Sequence, residues 1–146
     1  MSQATVALLG FVAVLLQLNE IRSNNRAVAA RQAFLAYTDL AFKNPKFSTP
    51  DYDAIKASSR DQQTQYESFV SYFLYACEEA FNAFSDRREW LASCDYDLKP
   101  HLPFLCEKNQ TEPGYLATYG TTTQDWVRTS LKTASVAPPD CKLGKT

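Results

Sequence analysis

The sequence predicts an all-α fold: an N-terminal transmembrane helix continuing into a small soluble helical bundle. Three observations carry this expectation. The run Ala4–Leu18 is almost wholly apolar and has no charge. From its end to Lys43 there is no glycine or proline, and the stretch is rich in the helix formers Ala, Arg, Gln and Leu. Between Arg60 and Leu91, apolar side chains recur at Tyr66, Phe69, Val70, Phe73, Leu74, Cys77, Ala80, Phe81 and Phe84. That is the i, i+3, i+4, i+7 spacing of one helix face.

The apolar run spans roughly 22 Å as a helix, against a hydrocarbon core of about 30 Å. Ser2–Gln3 and Asn19–Ile21 bring it near the required length, so residues 1–21 read as a membrane anchor. Residues 22–133 read as the soluble helical domain and 134–146 as a mobile tail. A cleaved signal peptide would need a basic start and a small-residue cleavage site. Met1-Ser2-Gln3 and the exit through Gln17-Leu18-Asn19-Glu20 supply neither. No Lys or Arg precedes the run, while Arg22, Arg26 and Arg31 follow it. The positive-inside rule then puts the N-terminus outside and the domain on the cytoplasmic side of a bacterial inner membrane.

The first helix is expected to run unbroken from Thr5 to Phe42. Its positions Leu18, Ile21, Asn25, Val28, Gln32, Leu35, Asp39 and Phe42 alternate apolar and polar, a broken heptad pattern. The stripe Ala27, Ala30, Phe34, Tyr37 and Ala41, with Leu35 and Phe42 beside it, suits packing within the domain better. Homo-dimerisation through this stretch is the alternative. Pro45 stops the helix, since it disfavours helical geometry at Asn44. Thr49 reads as an N-cap with Pro50 at the first position of a short helix, Asp51–Ala57. The long helix Arg60–Leu91 follows and supplies the aromatic centre of the core. Pro100 and Pro103 limit Ser93–Leu105 to a turn or two, and Glu107–Gly114 reads as loop. Tyr115–Tyr119 is a short helical piece. A last helix, Gln124–Lys132, is capped by Thr122 or Thr123 and turns Trp126, Val127 and Leu131 inward.

Fifteen basic residues face 16 acidic ones, for a net charge of −1. Phosphate neutralisation needs a basic surplus, so nucleic acid is excluded as the expected partner. Of Cys77, Cys94, Cys106 and Cys141, Cys77 sits in a helical apolar stripe and Cys141 in a Pro-rich tail. The expectation is reduced, buried thiols. A Cys94–Cys106 bridge is the alternative, with the topology flipped and the domain in an oxidising compartment.

Catalytic and ligand-binding motifs are sparse. Cys94, His101 and Cys106, with Asp95 and Asp97 nearby, form the single metal-like constellation, but structural zinc sites use paired short spacings such as C-x2-C. A Cys–His nucleophilic pair would rest on the chain's one histidine. There is no phosphate-cradling or dinucleotide motif, and neighbouring Glu78 and Glu79 point in different directions on a helix. No catalytic residue, metal or cofactor is therefore expected. By layout — an apolar start, then Leu18-Asn19-Glu20-Ile21-Arg22, Arg26, Ala30-Arg31-Gln32-Ala33, and a helix pair ending near Glu89-Trp90 — the chain resembles small uncharacterised bacterial single-pass inner-membrane proteins over Val6–Leu91. The resemblance implies a placement rather than an activity. The expected function is a non-catalytic accessory or scaffold subunit of a larger membrane complex. It would contact lipid and other membrane subunits through residues 4–21 and its helical domain. A membrane-tethered sensor or regulator that binds a ligand or signalling partner is the alternative.

Overall fold

The computed structural model describes residues 3–133, with side chains from Gly10 onward. Among these residues, seven α-helices follow one another: α1 (Gln3–Lys43), α2 (Pro45–Ser48), α3 (Tyr52–Lys56), α4 (Arg60–Ala83), α5 (Arg88–Leu98), α6 (Leu102–Thr111) and α7 (Thr121–Thr133). Single 3-10 turns occupy Lys99–His101 and Leu116–Thr118, and there is no strand among the described residues. The all-helical expectation holds. Among the described residues no helix is long and apolar enough to cross a membrane. The first part of the expected anchor, Ala4–Leu9, lies outside the residues whose side chains are described, and the tail 134–146 lies outside the described residues altogether.

Helix α1 is about 62 Å long at 1.5 Å per residue. Only its C-terminal half packs on the domain, chiefly against α4. Ala30 and Tyr37 are buried there, with Ala27, Ala33, Phe34, Leu40 and Ala41 half-buried around them. The expected stripe is the one used. Leu35 and Phe42, placed beside it by the sequence reading, instead face away, 68% and 87% exposed. A step of two residues turns a helix by about 200°, so Leu35 must oppose Tyr37.

Several elements differ from expectation. Thr49 is not an N-cap: the chain makes one more helical turn at α2, and Asp51 caps α3 by accepting from the Ala54 N–H at 3.1 Å. The helix expected over Arg60–Leu91 breaks at Phe84, which is extended (φ −112°, ψ 131°), with neither Gly nor Pro at the break. The chain reverses there because both flanking segments bury apolar faces. Phe84 stacks on Trp90 at 5.3 Å, and Trp90 meets Phe34 of α1 edge-on at 5.1 Å. Glu107–Thr111 is helix, not loop: Pro100 and Pro103 stand at the starts of helical segments, where no N–H is required. Lys108 then ties α6 to α4 through Glu67 at 2.9 Å, while also pairing with Glu112 at 2.7 Å.

The start of α4 is set locally. Ser59 is its N-cap, accepting from the Gln62 N–H at 3.3 Å. Ser59→Ala is expected to cost about 1 kcal/mol, measurable by chemical denaturation; a change within error would mean that burial alone sets this boundary.

The core is aromatic. Phe73 lies at its centre, 5.0 Å from Tyr37 and 6.2 Å from Trp126, and Phe81 meets Trp126 edge-on at 5.1 Å. The Trp126 indole N–H donates to Asp95 at 2.6 Å, joining α7 to α5. The Gly120 N–H donates to Glu78 at 2.8 Å and fixes the approach to α7. Val127 and Leu131 point inward as expected. Thr123, expected as a possible cap, is fully buried inside α7.

Candidate functional site

The residues singled out for chemistry meet different fates. Cys94 is joined to Cys77 by a disulfide with Cα atoms 6.1 Å apart, which staples α5 to α4. Cys106 is disulfide-bonded as well, and no cysteine among the described residues is free. The expectation of reduced thiols is overturned, and so is the Cys94–Cys106 pairing. The reason is the break after Ala83. In the resulting antiparallel pair, Cys77 stands seven residues before Phe84 and Cys94 seven after Arg87, so the fold brings them level. A thiolate on Cys94 or Cys106, which nucleophilic or zinc chemistry would need, is absent from this arrangement. No cluster of potential metal ligands exists among the described residues.

His101 is fully buried in the turn before α6. Its Nδ1 lies 2.9 Å from the Tyr66 hydroxyl, and the rings of Tyr66, Phe69 and Phe73 surround it at 5.8 Å. Its Nε2 has no hydrogen-bond partner. Burial pushes the imidazole down to about 4, so the ring is neutral at pH 7. Burial likewise pushes the Tyr66 phenol up, leaving it an O–H. This is a core histidine held by a phenol.

A pH dependence follows. The unfolded chain binds a proton on His101 below about 6.5, whereas the folded chain does so only near 4. Stability from this group is complete above pH 6.5 and declines as pH falls toward 4, with a slope of up to ~1.4 kcal/mol per pH unit. Asp97 acts in the opposite sense: burial raises its carboxyl although a hydrogen bond from Tyr37 lowers it, so its contribution is lost as pH rises. Comparing denaturation of the native chain and His101→Asn from pH 4 to 7 isolates the histidine. Parallel curves would refute the assignment.

Among the described residues, α1 presents an open apolar surface. From Gly10 to Arg26, α1 is exposed on every side, and Phe11, Leu15, Leu16, Leu18 and Ile21 face outward. Farther along, Val28, Leu35 and Phe42 continue an exposed apolar line on the side opposite the domain. Beside it, Leu40, Asn44, Phe47, Ser68, Phe69 and Tyr72 line a cleft of about 450 Å³ between α1, α2 and α4. Sequence reasoning found the apolar start but assigned Leu35 and Phe42 to the neighbourhood of the core. The seven-residue steps from Val28 to Leu35 and from Leu35 to Phe42 were the signal that could have separated them. No protein-family model, curated protein or solved structure matches this chain.

Proposed function

We propose that the protein is an accessory or scaffold subunit of a larger membrane-associated assembly, acting by binding rather than by catalysis, with α1 as its docking arm. The observation that carries this reading is the exposure of α1 ahead of the domain. Phe11 and Leu16 are 62% and 67% exposed, and Val12, Val14, Leu15 and Leu18 beside them are exposed as well. So much apolar surface is stable only when lipid or protein covers it. The apolar run from Ala4 supports a membrane placement for the start of α1, as in the small bacterial inner-membrane proteins that the layout resembles.

For the side of the membrane, the cysteines and the arginines support opposite readings. Disulfides persist in oxidising compartments, and Cys77–Cys94 favours the domain lying outside the cytoplasm, against the side that Arg22, Arg26 and Arg31 favour. Tandem affinity purification from mild detergent tests the assembly, and a monodisperse chain with no companion would sink it. Trapping of thiols in intact cells tests the side: free Cys77 and Cys94 would return the domain to the cytoplasm.

A second reading, a membrane-tethered sensor, is favoured by the cleft at Phe47 and Phe69, whose volume falls in the usual range for small-molecule sites. Screening apolar ligands by thermal shift, with Phe47→Trp as a blocked control, tests it.

A further inference from the structure

We propose that the partner of the docking arm is a second copy of this chain: α1 pairs with α1 in parallel and in register, through a seam from Val14 to Phe42. This rests on the docking-arm reading and names what covers the domain-proximal part of the arm.

The register is written on the helix. Val14, Ile21, Val28, Leu35 and Phe42 recur every seven residues and are all exposed. They fit the d positions of a heptad whose a positions are Leu18, Asn25, Gln32 and Asp39. In that frame, every residue that α1 buries or half-buries against its own domain falls at b, c or f: Ala30 and Tyr37 at f, Ala33 and Leu40 at b, Ala27, Phe34 and Ala41 at c. Every a, d, e and g residue from Val14 to Lys43 is exposed. The domain occupies one side of the helix and leaves the whole coiled-coil face of the other side bare. A strict period of seven is shorter than two helical turns, so two such faces stay in contact by winding left-handed around each other.

The polar a residues select the partner and the orientation. In a parallel, in-register pair, a meets a and d meets d, so Asn25 faces Asn25 and Gln32 faces Gln32, each amide finding its own complement. An antiparallel pair would press these amides against Val, Ile and Leu and leave them unpaired, which is costly. An unrelated apolar helix would do the same. Charge permits the symmetric pair. Residues g and the following e of the partner are Gln17 with Arg22, Asn24 with Ala29, Arg31 with Ala36 and Thr38 with Lys43, with no like-charge contact. At the last a position Asp39 does meet Asp39 of the second copy, and there each carboxylate carries its own counter-ion, Lys43 at 2.7 Å. The a, d, e and g positions together form a strip approaching the ~20–30 residues a side of a standard interface.

The experiment uses the full chain in mild detergent. Single variants Ile21→Cys, Leu35→Cys and Arg26→Cys are oxidised gently, and sedimentation is measured for the native chain and for Val28→Glu/Leu35→Glu. The expected result is a dimer, with self-cross-linking at both Ile21→Cys and Leu35→Cys but not at Arg26→Cys on the b face. The double Glu variant should be monomeric with its helical circular dichroism spectrum retained, since both side chains lie outside the domain's own core. A monomeric native chain, cross-linking at one end alone, or equal cross-linking at Arg26→Cys would overturn the proposal. If the double Glu variant still recovers companion proteins, the accessory-subunit reading stands while the self-pairing of α1 is assessed separately by the cross-links.

Discussion

Phe73→Ala should destabilise the domain by about 3–5 kcal/mol, the usual cost of emptying a buried aromatic site. The side chain is fully buried and meets Tyr37 of α1, His101 of the turn before α6 and Trp126 of α7. Its loss therefore loosens three elements at once, and the surrounding rings are too rigid to collapse into the space. For a domain of this size, a change of 1 kcal/mol moves the melting temperature by roughly 4–8 °C, so the variant should melt lower by well over 10 °C. Circular dichroism melts of the full chain measure it. A cost below that of a typical surface substitution would place the centre of the core elsewhere. Tyr96→Ala is the control, because α5 presents that ring to solvent, 75% exposed.

The second large effect belongs to the disulfide. Cys77→Ala/Cys94→Ala removes a cross-link between residues 17 apart and should cost about 3 kcal/mol by the loop-entropy relation. The loss has a particular place. Among the described residues α5 leans on α4 through the sulfur bridge, through Trp90 stacked on Phe84 and through packing around Leu98. Without the bridge, α5 and the turn that carries His101 should open before α1 and α4 separate. Hydrogen exchange on the double variant would show protection lost first over 88–101. Uniform loss across the domain would mean that the bridge stabilises only by shortening the unfolded chain. Unchanged stability would mean that the two sulfurs are not joined in the native protein.

These two effects mark where the sequence was legible and where it was not. The face of α4 was readable because burial on one side of a helix writes a 3.6-residue period, and Tyr66, Phe69, Phe73 and Phe81 all lie where that period puts them. The inward set Ala27, Ala30, Phe34, Tyr37 and Ala41 was readable on α1 for the same reason. The break after Ala83 was not. No Gly or Pro announces it; Asp86 accepts from the Arg88 N–H at 3.2 Å just beyond it, and Phe84 stacks on Trp90 across the reversal. The cysteine pairing was hidden with it, since Cys77 and Cys94 become neighbours only across that reversal. The prolines misled in the other direction. They suggested no more than a turn or two of helix over Ser93–Leu105, whereas α5 runs to Leu98 and both prolines begin helical segments. Of the candidate site, the sequence showed an apolar arm at the start of α1; that the arm has a second, free side running to Phe42 became visible once the domain's footprint on α1 was known.

Sequence alone determined the all-helical class, the long first helix and the inward faces of α1, α4 and α7, because each is a local regularity that a repeating burial requirement imprints on the chain. Tertiary structure decided the rest: where α4 ends, which sulfurs meet, why His101 is neutral, and which side of α1 is left bare. Those features depend on residues distant in sequence sharing one interior. No short window of sequence contains both partners.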